Sequence, residues 1–180
     1  AAPAAAGARP ARDGAEPAAG AELLDWDPHA PAKVLAALAY PQTAQPLEAL
    51  RATAARLPAE QQAPRLAALA ALRGNRRHKP PRALELASYT FDLLGDFGMY
   101  RDLHRHRMLT QQRQSLSTRH GYELPEEVHA AGLQAPFAAA MERAAEAFEA
   151  IAAELPAEAQ YVVPMAYRIR WFVELSLREL

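Results

Sequence analysis

The sequence predicts an α+β domain in which helices pack on a small, mainly antiparallel sheet. Three observations lead there. Phe137, Met141, Phe148, Ile151 and Leu155 recur at spacings of four, seven, three and four, the period of one helix face. The segments 88–94 and 167–173 instead alternate and are rich in β-branched and aromatic residues, as half-buried strands are. The chain has 180 residues, 51% of them apolar, enough for one domain with a real core.

Residues 1–20 contain sixteen alanines, glycines and prolines and no large apolar side chain. Such a stretch cannot bury enough surface to offset its ordering entropy, so it reads as a disordered linker, either a tail or a connection inside a longer polypeptide. Order is expected from Leu23-Leu24-Asp25-Trp26 onward. Asp27 before Pro28 supplies a capping carboxylate and a first-turn proline for a helix carrying Val34, Leu35 and Leu38. A second helix fits 47–57, with Leu47, Leu50, Ala54 and Leu57 on one face and Pro58 as its stop. A third fits 62–73, with Leu66, Leu69 and Leu72, ended by Gly74.

A basic loop follows, with Arg73, Arg76, Arg77, His78, Lys79 and Arg82 around Pro80-Pro81. The strand at 88–94 is expected to turn at Gly95-Asp96 into a short helix over 97–106. Met108 to Ser117 reads as a second strand, running into a loop at 119–125. The helix at 134–155 has Pro136 in its first turn and Pro156 beyond its end. Tyr161-Val162-Val163-Pro164 leads into the last strand, and a helix is expected to start at Ser176. Trp26 and Trp171 read as core or interface aromatics. His29, His78 and His129 read as exposed residues without partners.

A net charge of -1 argues against a general polyanion binder. The absence of cysteine excludes disulfides, thiolate metal sites and a cysteine nucleophile. No apolar run reaches the roughly 18–20 residues that span a bilayer. The N-terminus lacks a basic-then-apolar secretion pattern, so a cytoplasmic location is the default.

Charge is nonetheless concentrated. Five arginines and three histidines fall within residues 101–120. A solvated basic face is one reading of that run. The interleaved Tyr100, Leu103, Met108 and Leu109 support another, a partly buried element that needs a counter-charge, and phosphate fits arginine's planar fork best. Asp102, His104 and His106 offer metal ligands, but the adjacent arginines penalise a divalent cation, so no metal is assigned. A nucleic-acid patch made with residues 73–82 lacks any recognition module and is a distant alternative.

Arg105-His106-Arg107, with Ser115 ten residues after Arg105, resembles the signature of flavin-dependent thymidylate synthases: Arg-His-Arg, two residues, Ser, one residue, Asn-Glu, one residue, Ser, one residue, Arg-Tyr. Arg82-Ala83-Leu84-Glu85, Tyr89-Thr90-Phe91 and Arg101-Asp102-Leu103 occupy the positions of that family's upstream segments without a gap. Downstream, Val163-Pro164 through Ser176-Leu177-Arg178-Glu179-Leu180 matches its Leu-Pro, strand and Asn-x-Arg-Glu-Leu pattern with the same spacing. The resemblance covers about residues 80–180 and is nearest to the second half of long, two-module members, which carry a similar Arg-Asp-Leu, one residue, Arg-His-Arg-Met-Leu-Thr run.

The resemblance implies FAD held by Arg105, His106, Arg107 and Arg178, with Ser115 and Arg119 on the substrate side. It further implies methyl transfer to dUMP from methylenetetrahydrofolate, NADPH as reductant, and a homo-oligomer, a tetramer in the family. No thiol nucleophile is needed for that chemistry. The sequence departs from the pattern at named positions. Arg113 stands for a glutamate, Ser117 for a nucleotide-binding arginine, Asp102 for a glutamine, Gln160 for a nucleotide-contacting arginine and Ser176 for a flavin-contacting asparagine. The family's last nucleotide-binding arginine falls past Leu180. A non-catalytic flavin-binding or assembly module of a longer enzyme is therefore the alternative. FAD is expected to bind more tightly than dUMP, with Arg119 and Arg168 as replacement cations for the nucleotide.

Overall fold

In the last strand the alternation of sequence becomes an alternation of burial. Ile169, Trp171 and Val173 point inward, while Arg168, Arg170, Phe172 and Glu174 lie on the other face. The computed structural model describes residues 20–180 apart from Arg76. The linker reading of residues 1–20 therefore falls, except for Gly20, outside the described residues. Four strands form one antiparallel sheet: β1 (Gly20–Trp26), β2 (Ser88–Asp96), β3 (Thr110–Arg113) and β4 (Arg168–Ser176), in the order β1-β2-β4-β3. Among the described residues six α-helices accompany it: α1 (Ala30–Ala39), α2 (Leu47–Ala55), α3 (Ala59–Ala71), α4 (Phe97–Leu103), α5 (Glu126–Ala130) and α6 (Gln134–Ala152). The α+β expectation holds.

The main core lies between the sheet and α6. Met141 and Phe148 of α6 meet Tyr100 of α4, Leu116, Val163, Tyr167 and the inward face of β4. Trp171 is at the centre, 1% exposed, with the Tyr100 ring edge-on at 5.5 Å. Gly95, inside β2, gives the sheet room there, since a Cβ at this position would lie 2.1 Å from the Met99 terminal methyl and 3.5 Å from the Trp171 ring. The Tyr167 hydroxyl donates to the Met141 carbonyl at 2.8 Å inside this core, and burial raises the phenol's pKa. Tyr167→Phe is expected to cost about 1 kcal/mol, measured by denaturant unfolding, with no change in secondary structure. A smaller cluster of Ala30, Val34 and Ala87 seats α1 beside the start of β2, and Ala36, Leu50 and Ala54 join α1 to α2.

Several expectations need correction. The segment around Leu23–Trp26 is a seven-residue edge strand, and a register shift between Leu23 and Asp25 removes the alternation that reveals a strand. Helix α1 starts at Ala30. Asp27 holds the turn before it, accepting from the His29 N–H and pairing with Lys33, which is the first cause of its lowered pKa. Gly95 and Asp96 continue β2, and Asp96 then caps α4 by accepting from the Met99 N–H at 2.8 Å. Helix α4 ends at Leu103, and the second strand is only Thr110–Arg113. Helix α6 stops at Ala152, so Leu155 is exposed rather than core. After Ser176 comes a turn in which the Ser176 N–H donates to the Glu179 carboxylate at 2.7 Å, one half of a capping box. Trp26 is 55% exposed on the edge strand, which removes the core half of its core-or-interface reading. His78 has partners: its Nδ1 accepts from the Gly74 N–H, and its carbonyl accepts from Arg73.

Candidate functional site

Strand β3 and the chain around it divide the predicted site in two. Thr110 pairs with Glu174 near the C-terminal end of β4, and Gln114 donates its N–H to the Arg170 carbonyl toward the other end. Arg105, His106 and Arg107 precede β3; Ser115 and Arg119 follow it. The five residues from Thr110 to Gln114 span about 15 Å, so the two groups sit at opposite ends of this edge.

At the first end, α4 stops at Leu103 and the cationic run emerges in turns, which leaves Arg105, His106 and Arg107 exposed. Arg105 lies 3.5 Å from Asp102, both well exposed, a contact that holds little charge in place. Arg107 and His106 make no side-chain hydrogen bond or ion pair with the described residues. The Gln111 side chain ties this end together by donating to the Leu103 carbonyl at 3.0 Å. Met108 is 77% exposed, so the partly buried element expected here consists of Tyr100, Leu103 and Leu109 alone. Among the described residues no three His, Asp or Glu side chains converge as a metal site would require.

Arg178 belongs to the same end of the sheet, because Ser176 pairs with Ser88 there. Its guanidinium is committed: it pairs with Glu85 and donates to the Pro80 carbonyl at 3.1 Å. Glu85 is held below the usual carboxylate range, by Arg82 first and by Arg178 second. Arg178 also borders a cavity of about 230 Å³ whose walls include Leu66, Leu69, Pro80 and Leu177. The Ser176 hydroxyl is buried and has no hydrogen-bond partner among the described residues.

At the other end, the chain leaves the sheet after Gln114 and rejoins it where the Arg168 N–H donates to the Gly121 carbonyl at 2.9 Å. Residues 115–120 are thus a loop ejected from the sheet edge, and Gly121, with φ 67°, supplies the left-handed residue on which it closes. Leu116 pins the loop to the main core. Gln160, on the 3-10 turn Glu158–Val162, pins it from the side: its Oε1 accepts the Leu116 N–H at 2.9 Å and an Arg113 N–H at 3.4 Å. Two of the departures from the family pattern therefore touch each other. Arg113 also donates to the Gln114 carbonyl at 3.0 Å. Ser115 is exposed, and the Arg119 side chain has no hydrogen bond or ion pair with the described residues. Arg168 is paired with Glu123 at 2.6 Å and so is not an available replacement cation.

The outer face of the sheet between these ends carries a cavity of about 330 Å³ bordered by Asp92, Gln112, Gln114, Arg170 and Phe172. Arg170 spans it, donating from Nε to both Asp92 oxygens at 2.9 and 3.1 Å. His120 lies near this pair, and burial, then the charges of Arg170 and Arg119, lower its pKa. The neutral ring is thus preferred in the folded state. The unfolded chain binds the proton more readily, so this contribution is complete above the ordinary value of 6.5 and is lost as pH falls below it. Between about pH 7.5 and pH 5.5, unfolding free energy is expected to fall more in the wild type than in His120→Gln; equal losses would contradict the assignment.

Residues 22–180 match the family described as thymidylate synthase complementing protein. The chain belongs to that family, the flavin-dependent thymidylate synthases. A UPF0159 protein of Chlamydia muridarum (strain MoPn / Nigg) is 45% identical over 161 residues, covering 89% of this chain and 30% of its own length. A UPF0159 protein of Chlamydia pneumoniae is 45% identical over 159 residues, 88% of this chain and 30% of its own. A UPF0159 protein of Thermoplasma acidophilum is 37% identical over 99 residues, 54% of this chain and 20% of its own. This thymidylate synthase-family chain thus spans less than a third of the length of these relatives. Its fold matches the crystal structure of a UMP/dUMP methylase, PolB from Streptomyces cacaoi, bound with 5-Br dUMP: TM-score 0.61, 15% identity, 90% of this chain and 74% of that one.

Proposed function

We propose that this chain serves in the flavin-dependent conversion of dUMP to dTMP as the part of a longer protein that holds FAD, through Arg105, His106 and Arg107. Methylenetetrahydrofolate is the one-carbon donor and NADPH the reductant, the reaction of the family to which the chain belongs. The observation that carries the reading is the unspent charge of Arg107, beside a His106 ring without a side-chain partner and an Arg105 whose only counter-ion among the described residues is an exposed aspartate. A diphosphate supplies the counter-charge such a cluster lacks, and charge-assisted hydrogen bonds to arginine are among the strongest a surface offers. The unpartnered hydroxyl of Ser176 fits the same ligand, as a polar group left for a cofactor to satisfy. Arg178 fits it less directly. Its guanidinium is used in holding Glu85 and the Pro80 carbonyl, so it shapes this end of the sheet. FAD held by Arg105, His106 and Arg107 would supply hydride transfer, with NADPH as the hydride source.

A longer protein suits the geometry. The flavin residues and the loop carrying Ser115 and Arg119 lie at opposite ends of β3, so neither group completes a site with the other alone. A second copy or a further segment of the polypeptide completes each, with residues 21–180 as the folded module, residues 1–20 as a connector, and a cytoplasmic setting. The test is formation of dTMP from dUMP by the full-length protein supplied with FAD, NADPH and methylenetetrahydrofolate. Product that disappears in Arg107→Ala supports the reading.

A second reading, a flavin-binding or assembly module without its own turnover, is favoured by the Gln160–Leu116–Arg113 contacts and by the pairing of Arg168 with Glu123. FAD binding without dTMP formation would select it.

A further inference from the structure

A loop that binds a phosphate monoester must present N–H groups and cations that are free to turn toward it. In the loop at 115–120 and at Arg113 just before it, several of those groups are already engaged, although the Arg119 guanidinium is not among them. The Leu116 N–H is given to Gln160 Oε1 at 2.9 Å, and the same oxygen draws in the Arg113 guanidinium at 3.4 Å. The Arg119 N–H lies 3.5 Å from the Ser117 hydroxyl. One amide oxygen thus accepts from a backbone N–H and from a guanidinium together, the two kinds of donor that a phosphate oxygen would seek. Its orientation is fixed from behind, because Gln160 Nε2 donates to the Ala157 carbonyl at 3.1 Å and the neighbouring Ala159 is fully buried.

We infer that Gln160 is an internal ligand that closes this loop to phosphate-bearing nucleotides, so the loop in this chain is held shut by its own side chain. The inference rests on the reading that the loop carrying Ser115 and Arg119 is the dUMP side of the site, and it names the residue that excludes the nucleotide's phosphate. Gln160 is half-buried, and truncating it opens a space to solvent rather than a sealed void. The Leu116 side chain, anchored in the main core, keeps the loop in place when the tether is cut. Gln160→Ala frees the Leu116 N–H and leaves Arg113 with the Gln114 carbonyl as its acceptor. Gln160→Glu keeps an acceptor for both and strengthens the contact with Arg113, so it leaves the loop closed.

The experiment is calorimetric titration of dUMP into full-length wild type, Gln160→Ala and Gln160→Glu, with deoxyuridine as the phosphate-free control and FAD titrated into the same preparations. Gln160→Ala is expected to bind dUMP at least tenfold more tightly than the wild type, deoxyuridine not to bind, and Gln160→Glu to match the wild type. Equal dUMP affinity in wild type and Gln160→Ala overturns the inference, whether both bind or neither does. Loss of FAD binding in every preparation would count against the flavin assignment and leave the dUMP comparison intact. Amide exchange in the wild type tests closure without any variant: the Leu116 N–H is expected to be protected, and exchange as fast as an open loop amide overturns it.

Discussion

Trp171→Ala is expected to lower the unfolding free energy by about 3–5 kcal/mol. The side chain is 1% exposed at the centre of the main core, where Tyr100, Met141 and Ile169 belong to one cluster. Truncation removes the indole and leaves a void that Gly95 on the neighbouring strand has no side chain to fill. Against a typical domain stability of about 5–15 kcal/mol, the loss is large enough to show as partial unfolding near physiological temperature. Trp171→Phe is expected to cost much less, because the indole N–H has no hydrogen-bond partner among the described residues to lose. Denaturant unfolding of the three proteins checks both statements. An alanine variant within about 1 kcal/mol of the wild type would remove Trp171 from the centre of the core.

The second large effect concerns binding. Each charge-assisted contact from arginine to a diphosphate contributes about 1.5–3 kcal/mol, so Arg107→Ala is expected to weaken FAD binding roughly tenfold or more. The double variant Arg105→Ala, Arg107→Ala is expected to weaken it by roughly a hundredfold or more. Both side chains are exposed, and the only partner of either among the described residues is Asp102, so the melting temperature should hardly move. That separation of affinity from stability distinguishes a ligand contact from a structural one. Arg178→Ala should differ in kind: it breaks the pair with Glu85 and the bond to Pro80, so stability is expected to fall with affinity. Unchanged FAD affinity in the double variant would remove the cluster from the flavin site.

How much of this was legible in the sequence depended on whether a feature is local or long-range. Helix α6 was legible because a regular apolar stripe ran through it, and β4 because Ile169, Trp171 and Val173 alternate with Arg168, Arg170 and Phe172. The family was legible for the same reason, since its motifs are short and keep their spacing. Strand β1 was not, because the irregularity at Leu24 breaks alternation and sheet pairing is supplied by residues some sixty-five positions later. The C-terminal turn read as a helix because its Ser-x-x-Glu pattern is a helix start, and it forms the capping contact without further helical residues in view. The tether from Gln160 to Arg113 joins residues 47 apart, and no local period encodes it. One signal was present: both positions depart from the family pattern, Arg113 gaining a cation and Gln160 losing one. Paired departures of opposite charge sense suggest contact, and here they meet. The commitment of Arg168 to Glu123 had no such signal, since an acid 45 residues away is one among many.

FAD is proposed to bind this family member through arginine charges that the described residues leave unspent. Equilibrium titration of FAD into the flavin-free full-length protein, followed by the flavin's absorbance and fluorescence, tests it most directly. Saturable binding that weakens as salt is raised is expected, since exposed arginines meeting a diphosphate are screened. Inorganic pyrophosphate is expected to compete for the site. No saturable binding, or binding that ignores both salt and pyrophosphate, would contradict the proposal.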